Sequence, residues 1–281
     1  MITLTISDDF DLQKIAESGQ CFRWYAAGEH TVRIIAADRC LYVTDLGDGR
    51  FRMDCGQETF DSFGASYFDL DENYRAIRER VSSSEDPFLW EAMEHEKGIR
   101  ILRQDPWEML ISFIIAQNRN IPAIRRSIEL LCEACGDRKT DSRGEPYFPF
   151  PGPEAVCRLS ETDLLACKLG YRWKYVRAAA ASVLNGEIDL DALAAMSSGE
   201  SIQALTGVYG IGNKVASCIA LFGLHQLDAF PRDVWINRVL DNEYAQGYPF
   251  ETYSPYNGVY QQYMFSYYRN RCPVSRQGSS E

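Results

Sequence analysis

The sequence lacks an uninterrupted apolar run close to the roughly 18 residues that a membrane-spanning helix needs. Its opening stretch, MITLTISDDF, contains no lysine or arginine, so it lacks the basic start of a secretory signal peptide. We therefore expect a cytoplasmic protein that has no membrane partner. We also expect a monomer.

Closely spaced metal ligands are scarce as well. The nine cysteines are scattered over 281 residues, and the only CxxC pair, Cys132 and Cys135, has no second pair that would complete a zinc site. Near the C-terminus only Cys272 occurs, whereas an iron–sulfur cluster needs four cysteine ligands. We expect reduced thiols, no metal and no cofactor.

Positive charge is also in short supply. The chain has 29 lysine and arginine residues against 40 acidic ones, and the net charge of −11 argues at first against nucleic-acid binding, which basic side chains drive. The distribution is uneven, however. The stretch LACKLGYRWKYVRAAA contains Lys168, Arg172, Lys174 and Arg177 and no acidic residue. A locally basic face on an acidic protein is therefore compatible with the sequence.

Strand and helix patterns divide the chain. The segment TVRIIAADRCLYVTDL is β-branched and alternating, and DLGDGRF is a turn signal, so residues 1–70 are predicted to form a small antiparallel β-sheet domain. From DENYRAIRERV onward the apolar spacing is helical, which predicts a helical region over residues 71–271. The segment TDSRGEPYFPFPGPEA within it is predicted to be a loop. Residues 272–281 have the composition of a disordered tail. The fold class is α+β.

Two consecutive helices stand out in the helical region. DPWEMLISFIIAQ has Asp105 as the N-cap, Pro106 at the first helical position and Glu108 in the first turn, and the helix is apolar on all sides. Such a helix is typically central and buried. A second helix is predicted from Ile121 to Cys135.

A glycine-containing turn precedes a lysine in IQALTGVYGIGNKVASCIALFG. We predict a short helix, a turn with Gly210 and Gly212, and a second helix that begins near Asn213, whose free N–H groups can hold a phosphate. A dinucleotide fingerprint would need glycine in place of Val215, and a P-loop would need glycine directly before Lys214. Neither condition is met. The alternative is a tight turn between helices that carries a solvated lysine.

The continuation of this segment carries a family resemblance. GIGNKVASCI together with AFPRDVW resembles the helix-hairpin-helix DNA glycosylases. ESGQCFRW, RILRQDPWEMLISFI with QNRNI, KLGYRWKYV and YQQYMFSYY extend the resemblance to the 8-oxoguanine DNA glycosylases, in family order along nearly the whole chain. The resemblance implies a helix-hairpin-helix domain after the sheet. It also implies a bifunctional enzyme that flips 8-oxoguanine out of double-stranded DNA, excises it and cuts the strand by β-elimination.

The resemblance assigns the catalytic roles to two residues. Lys214 matches the family nucleophile, which forms a Schiff base with the sugar and must be neutral to attack, so we expect its apolar neighbours on the helix to bury it. Asp233 matches the carboxylate that stabilises positive charge developing on the sugar. On the sequence alone, Asp233 is equally an N-cap for the helix DVWINRVL.

Four further residues match the family's base pocket. Gly19 matches the glycine whose carbonyl accepts the N7 proton that distinguishes 8-oxoguanine from guanine. Gln261 matches the amide that binds the Watson–Crick edge, Phe265 the ring that stacks on the base, and Cys218 the cysteine that touches it. Taken alone, Gly19 is an ordinary turn glycine, and Gln261, Phe265 and Cys218 are ordinary packing residues.

The DNA-facing residues match only in part. Tyr171 matches the family's wedge, Asn118 its gap-filling residue and Arg172 an arginine that recognises the opposite cytosine; their alternative is a solvated loop. Lys174, Arg119, Gly210 and Gly212 are predicted to contact DNA alongside them. The chain departs from human-type members, which have arginine where this chain has Ala123, asparagine at Arg119 and histidine at Trp235. These departures indicate the bacterial branch and a relaxed preference for cytosine.

Two other functions remain open. A non-catalytic helix-hairpin-helix DNA-binding protein would need neither Lys214 nor Asp233. A glycosylase for another oxidised base, such as an oxidised pyrimidine, would not need the purine-matching set of Gly19, Gln261 and Phe265.

Overall fold

A computed structural model of the chain describes residues 1–271. Five antiparallel strands form the N-terminal sheet in the spatial order β1-β5-β4-β3-β2. Their bounds are β1 Ile2–Thr5, β2 Trp24–Ala26, β3 Thr31–Ala36, β4 Arg39–Asp45 and β5 Arg50–Met53. One face of the sheet buries Trp24, Ile34, Val43, Phe51 and Met53 in a core of its own. This confirms the predicted antiparallel sheet followed by helices. The boundary at residue 70 stays a prediction.

The first 70 residues contain more helix than expected. Helix α1 spans Leu12–Glu17, where the Asp11 side chain accepts hydrogen bonds from two N–H groups of the first turn. A second helical stretch follows the sheet and consists of α2 Gln57–Thr59, a π-helical turn Phe60–Gly64 and α3 Ala65–Tyr67. The prediction of strands and turns alone was wrong here, because Phe60, Phe63 and Tyr67 follow helical spacing and pack against the sheet.

Thirteen helices follow in residues 74–271. They are α4 Tyr74–Arg78, α5 Pro87–His95, α6 Pro106–Ala116, α7 Ile121–Cys135, α8 Pro153–Arg158, α9 Glu161–Ala166, α10 Trp173–Leu184, α11 Leu190–Ala195, α12 Ser198–Thr206, α13 Asn213–Phe222, α14 Val234–Glu243, α15 Phe250–Tyr253 and α16 Asn257–Arg271. A 3-10 turn, Gly170–Arg172, precedes α10. The segment predicted as a loop contains a short hairpin, β6 Lys139–Thr140 with β7 Pro146–Tyr147.

Helix α6 is central, as its all-round apolar pattern predicted. Asp105 accepts a hydrogen bond from the N–H of Glu108, Pro106 occupies the first turn, and eight consecutive residues from 108 to 115 are buried. The helix packs against α7, α10 and α13. It therefore supports both the hairpin helix α13 and the turn that leads into α7.

The sheet is docked onto α6 and α7 by buried polar contacts. Arg23 of the β2 segment pairs with Glu129 of α7 at 2.8 Å, and the Tyr25 hydroxyl donates to the same carboxylate at 2.7 Å. Glu108 of α6 accepts a hydrogen bond from the N–H of Ala37 at 2.9 Å. Burial raises the pKa of the Glu108 carboxyl to about 7, although Arg23 opposes the shift.

Within residues 1–271 no helix is long and apolar enough to cross a membrane. The predicted disordered tail, residues 272–281, lies outside the described residues.

Candidate active site

The six residues predicted for catalysis and base binding line one cavity, although they come from widely separated segments. These residues are Gly19, Lys214, Cys218, Asp233, Gln261 and Phe265. Phe113 of α6 and Phe222 of α13 form an apolar wall of the same cavity, with their rings stacked 5.6 Å apart. Helices α13 and α16, the N-terminus of α14 and the turn after α1 therefore converge on a single site.

The hairpin between α12 and α13 has the predicted form. Gly210 has a φ of +88°, and a Cβ there would overlap the ring of Tyr175, so this position accepts only glycine. Gly212 is the N-cap of α13, and no side chain caps this helix. The first N–H groups of α13 therefore remain available for an external acceptor.

Lys214 differs from expectation in its exposure. It is the second residue of α13, and its side chain is exposed, whereas Val215, Ala216, Ile219 and Ala220 are buried. The prediction that these neighbours bury the amine was wrong, because they turn toward the core while Lys214 lies on the opposite side of the helix, where it lines the cavity. The protein alone therefore leaves this amine in contact with water.

Asp233 acts as the N-cap of α14. One of its carboxylate oxygens accepts hydrogen bonds from the N–H groups of Trp235 and Ile236, each at 2.9 Å. Among the described residues it forms no ion pair within 4.0 Å, and Lys214 is therefore not its salt-bridge partner. The capping prediction is confirmed, and the cap holds the carboxylate at the cavity.

Cys218 lies one helical turn beyond Lys214. Burial raises the pKa of its thiol to about 11, the positive charge of Lys214 opposes this shift, and the negative charge of Asp233 adds to it. Both charged groups therefore act on the same sulfur atom. Cys218 therefore lines the cavity as a neutral thiol and is not a nucleophile.

The turn after α1 is held firmly. Gly19 has a φ of +84°, in the left-handed region that favours glycine. The buried side chain of Gln20 donates to the hydroxyl of Ser18 at 2.9 Å and to the carbonyl of Arg100 at 2.8 Å, and it accepts from the N–H of Leu102 at 2.8 Å. The conformation at Gly19 is thus fixed by its neighbours.

Three of four successive carbonyls in this turn accept a side-chain hydrogen bond. The donors are Arg269 to Glu17 at 2.7 Å, Gln262 to Ser18 at 2.6 Å and Gln104 to Gln20 at 2.9 Å. The fourth carbonyl, that of Gly19, receives no hydrogen bond from any residue between 1 and 271. The turn therefore presents one unpaired acceptor, at the residue that lines the cavity.

Gln261 leaves a second acceptor unpaired. It is buried, and its amide nitrogen donates to the carbonyl of Pro231 at 3.0 Å. Its buried Oε1 has no partner within the described part of the chain. Because an unpaired buried acceptor is costly, a ligand that donates to Gln261 would be favoured.

Gln117 joins the segments predicted to face DNA. This residue follows α6, and its side chain donates to the carbonyl of Gly210 at 3.0 Å. Its own carbonyl accepts from Nε of Arg172 at 2.8 Å and from the same guanidinium through Nη2. The next residue, Asn118, has a φ of +51°, and its amide donates to the Tyr171 hydroxyl at 3.4 Å. The hairpin, the α6–α7 turn and the 3-10 turn therefore form one surface.

Two residues of this surface differ from the solvated basic loop that the sequence allowed. Arg172 is only 7% exposed because its guanidinium is bonded to main-chain carbonyls, whereas Tyr171 is 49% exposed. Arg119 donates to the hydroxyl of Ser127 at 2.7 Å. Burial and the charge of Arg172 lower the pKa of Arg119. The bond from Arg119 to Ser127 spans the face of α7 that carries Ala123.

Two further positions considered in the sequence analysis, Lys174 and Trp235, are not part of the hydrogen-bonded surface that Gln117 joins. Lys174 is exposed, with Nζ 5.7 Å from the ring centre of Trp173, and within residues 1–271 no hydrogen bond joins it to Asn118 or to the hairpin. Trp235 stands at the position of the family histidine. Its ring packs against Tyr268, and the guanidinium carbon of Arg238 lies 5.1 Å from the ring centre of Trp235.

The sequence patterns did not identify Gln117, Gln262 and Arg269. For Gln262, the only signal was a polar residue inside a strongly aromatic helix.

Comparisons with known proteins agree with this geometry. The family model of the 8-oxoguanine DNA glycosylase N-terminal domain matches residues 1–110, and that of the HhH-GPD superfamily base excision DNA repair proteins matches residues 111–246. The chain thus has the fold of the helix-hairpin-helix base excision repair proteins. It belongs, within them, to the 8-oxoguanine DNA glycosylase family.

Relatives and solved structures support the same placement. The N-glycosylase/DNA lyase of Saccharomyces cerevisiae is 33% identical over 260 residues, which cover 83% of this chain and 68% of the relative. The structure of MBOgg1 with a low-affinity DNA ligand is 36% identical, with a TM-score of 0.89 and coverage of 96% and 95%. The Clostridium acetobutylicum 8-oxoguanine glycosylase/lyase, bound to double-stranded DNA with cytosine opposite 8-oxoG, is 30% identical, with a TM-score of 0.87 and coverage of 96% and 98%.

Proposed function

We propose that the protein is a bifunctional 8-oxoguanine DNA glycosylase and abasic-site lyase that acts on duplex DNA in base excision repair. One observation carries the proposal. Two residues that carry unpaired acceptors, Gly19 with its carbonyl and Gln261 with its Oε1, line the same cavity as the exposed Lys214 and the capped carboxylate residue Asp233. Recognition groups and reactive groups therefore lie in one place.

The carbonyl of Gly19 supplies the discrimination. 8-Oxoguanine carries a proton on N7, and guanine carries a lone pair there, so a fixed acceptor bonds the first and repels the second. An acceptor left unsatisfied on burial costs about 1–3 kcal/mol. Because the three neighbouring carbonyls are already paired, the turn offers this acceptor without first breaking a bond of its own.

Gln261 and Phe265 complete the pocket. The N1–H and the amino group of a flipped guanine-type base are donors, which suits the unpaired Oε1 of Gln261. Phe265 lies one turn later on α16 and lines the same cavity. It offers a ring on which the base stacks.

The chemistry uses Lys214 as the nucleophile. Its nitrogen forms a bond to C1′ while the bond from C1′ to the base breaks, and the base leaves with that electron pair and takes up a proton. Asp233 stabilises the positive charge that develops on the sugar. The sugar ring then opens to an iminium on Lys214, and loss of a C2′ proton with expulsion of the 3′ phosphate cuts the strand. Bound DNA excludes the water that reaches Lys214 in the free protein.

The DNA surface uses the segments that Gln117 joins. Tyr171 is exposed enough to act as a wedge beside Asn118, which fills the gap left by the flipped base. The uncapped start of α13 after Gly210 and Gly212 holds a phosphate. Lys174 and Arg119 add positive charge on this face. A local basic surface is needed because the net charge of the whole chain is −11.

The test compares lesions in otherwise identical duplexes. The protein is incubated with duplexes that contain 8-oxoguanine, an oxidised pyrimidine, an abasic site or undamaged guanine, and borohydride is added to reduce any Schiff base. We expect covalent trapping with 8-oxoguanine and with the abasic site. Trapping with the oxidised pyrimidine in place of 8-oxoguanine would identify a glycosylase for another base. Binding to all duplexes with no trapping would identify a non-catalytic DNA-binding protein.

A further inference from the structure

Arg269 is a charged residue beside the base pocket. It lies one helical turn after Phe265 on α16, and its guanidinium carbon lies 5.0 Å from the centre of the Phe265 ring. Its Nη2 donates to the carbonyl of Glu17 at 2.7 Å. Arg269 therefore connects the stacking ring on α16 to the C-terminal end of α1, where the dipole favours a cation.

The same side chain also approaches the recognition turn. A Cβ at Gly19 would lie 3.9 Å from Nη1 of Arg269 and 3.7 Å from Cε1 of Phe265. Both groups therefore lie beside the turn that presents the Gly19 carbonyl, close enough that one added carbon at Gly19 would touch them. The guanidinium lies over the stacking ring and is bonded to the carbonyl of Glu17, two residues before Gly19.

We propose that Arg269 is a positioning residue that holds the Phe265 ring and the Gly19 turn at a fixed separation, and thereby sets how strongly the pocket prefers 8-oxoguanine over guanine. This inference rests on the proposed function. Among the described residues Arg269 forms no hydrogen bond or ion pair with Lys214 or Asp233, although its charge lies close enough to Asp233 to interact with it. We therefore expect the main effect of Arg269 to be on the placement of the base, and Arg269→Lys, which keeps the charge, separates that effect from the influence of the charge on Asp233.

The geometry explains why placement depends on this residue. An aromatic ring has two faces, and the guanidinium covers one of them, which leaves only the other face for a base. Gln262 ties Ser18 to α16 independently, at 2.6 Å, so the turn does not detach when Arg269 is changed. Loss of Arg269 should therefore loosen the ring and the Gly19 carbonyl without removing either from the site.

The experiment separates base placement from the later lyase step. Arg269→Gln removes the cation from the ring, and Arg269→Lys keeps the charge without the planar stack. Arg271→Gln is the matched control. Arg271 follows Tyr267 by four residues, as Arg269 follows Phe265, and its guanidinium carbon lies 5.5 Å from the centre of the Tyr267 ring. Unlike Phe265, Tyr267 does not line the cavity. Single-turnover excision is measured on 8-oxoguanine and guanine duplexes, and strand cutting on a preformed abasic duplex.

We expect Arg269→Gln to lower excision of 8-oxoguanine about tenfold or more, which corresponds to one ordinary hydrogen-bond or stacking contribution. The ratio of 8-oxoguanine to guanine excision should fall with it. Cutting of the abasic duplex, which has no base to place, should stay within about twofold of wild type, whereas Arg269→Lys should be intermediate and Arg271→Gln unchanged.

Two results would overturn the proposal. Wild-type excision and selectivity in Arg269→Gln would show that the ring and turn keep their places without the guanidinium. An equal loss of excision and abasic-site cutting, with a lowered melting temperature, would show a general structural role instead. A wild-type protein that traps the abasic duplex and never excises 8-oxoguanine would contradict the proposed function, and this outcome is distinct from both.

Discussion

Two regions of the protein differ in how their polar groups are used. The first is the wall of the base pocket formed by α16 and the Gly19 turn, and the second is the surface that Gln117 joins, which we call the DNA-facing wall after its proposed role. On the α16 side, Gln262 and Arg269 bond to the carbonyls of Ser18 and Glu17, which directly precede Gly19, and the Gly19 carbonyl itself has no partner within residues 1–271. On the DNA-facing side, the guanidinium of Arg172 is already bonded to the carbonyl of Gln117 and is largely buried. The base-pocket wall thus has an acceptor, the Gly19 carbonyl, that is free to bind a ligand. On the DNA-facing wall the guanidinium of Arg172 is already used in bonds within the protein.

The difference has an energetic consequence. A pocket whose acceptor is unpaired and rigid needs no reorganisation before it binds a base, so its selectivity is available at once. Arg172 is largely buried, and its Nε and Nη2 already donate to the carbonyl of Gln117. A bidentate contact from Arg172 to a base in the duplex therefore exchanges existing hydrogen bonds for new ones and leaves little net gain. Substitutions at the reactive groups, and then at each wall, test this contrast.

The largest effect is expected at Lys214. Lys214 is the only lysine among the described residues that line the cavity, so in Lys214→Gln excision, strand cutting and borohydride trapping should all be lost while lesion DNA still binds. Gel-shift and trapping assays check the two expectations separately. Lys139→Gln, on the hairpin strand β6, is the control and should trap normally, because Lys139 does not line the cavity. An adduct at the normal rate in Lys214→Gln would mean that another amine is the nucleophile.

The next effect is expected at Asp233. Asp233→Asn keeps a residue that caps helices well and removes the negative charge, so base excision should slow by about 10² or more while stability changes by less than about 1 kcal/mol. Single-turnover rates and melting curves check this pair of values. Asp189→Asn, which changes the N-cap of α11 away from the cavity, is the matched control. A variant that melts early and keeps its rate would reduce Asp233 to a cap.

Sequence patterns predicted the parts of this molecule that local rules govern. The N-caps Asp105 and Asp233, the helix from Ile121 to Cys135 and the hairpin with Gly210 all occur where their side-chain chemistry indicated. The antiparallel sheet followed by helices is also as predicted. In each case the controlling contacts lie within a few residues along the chain.

Long-range contacts explain what the sequence did not predict. The bonds from Gln262 to Ser18 and from Arg269 to Glu17 join residues more than 240 positions apart, so no local sequence pattern predicts them. The exposure of Lys214 depends on which side of α13 meets α6, which is a property of packing. The site roles themselves came from the family resemblance, and the structure adds that six of those positions share one cavity.

The contact between the sheet and α6 should respond to pH through Glu108, which accepts a hydrogen bond from the N–H of Ala37. Burial raises the pKa of this carboxyl from 4.5 to about 7, with Asp105 and Glu129 adding to the shift and Arg23 opposing it. Between those pH values the folded protein keeps a proton that the unfolded chain has lost. The stability that Glu108 contributes is therefore full below pH 4.5 and is lost as the pH rises through 7, by at most about 3 kcal/mol.

Glu108→Gln should abolish that slope, because a neutral amide can still accept from the N–H of Ala37. Denaturant unfolding at several pH values between 5 and 8 measures it, with Glu133→Gln on the exposed side of α7 as the control. An identical pH dependence in wild type and Glu108→Gln would show that Glu108 is ionised in the folded protein throughout this range.

The smallest effect is expected at the DNA-facing wall. An arginine that is bidentate to a base edge typically contributes about 1–3 kcal/mol of discrimination. This chain has Ala123 where human-type members have such an arginine, Arg172 is bonded to Gln117, and Arg119 is bonded to Ser127 across the same face of α7. We therefore expect excision of 8-oxoguanine opposite cytosine, thymine, guanine and adenine at rates within a narrow range.

Ala123→Arg should restore a preference for cytosine of about tenfold, the lower part of that energy range, because the new guanidinium has to compete with Arg119 for the space beside Ser127. Ala123→Leu adds similar bulk without donors and should leave the four rates close together. All duplexes are compared at one salt concentration, since phosphate contacts shift the four rates in parallel. A thousandfold preference for cytosine in the wild type would contradict the contrast between the walls. It would mean that Arg172 or Arg119 leaves its present partner on binding DNA and recognises the base unaided.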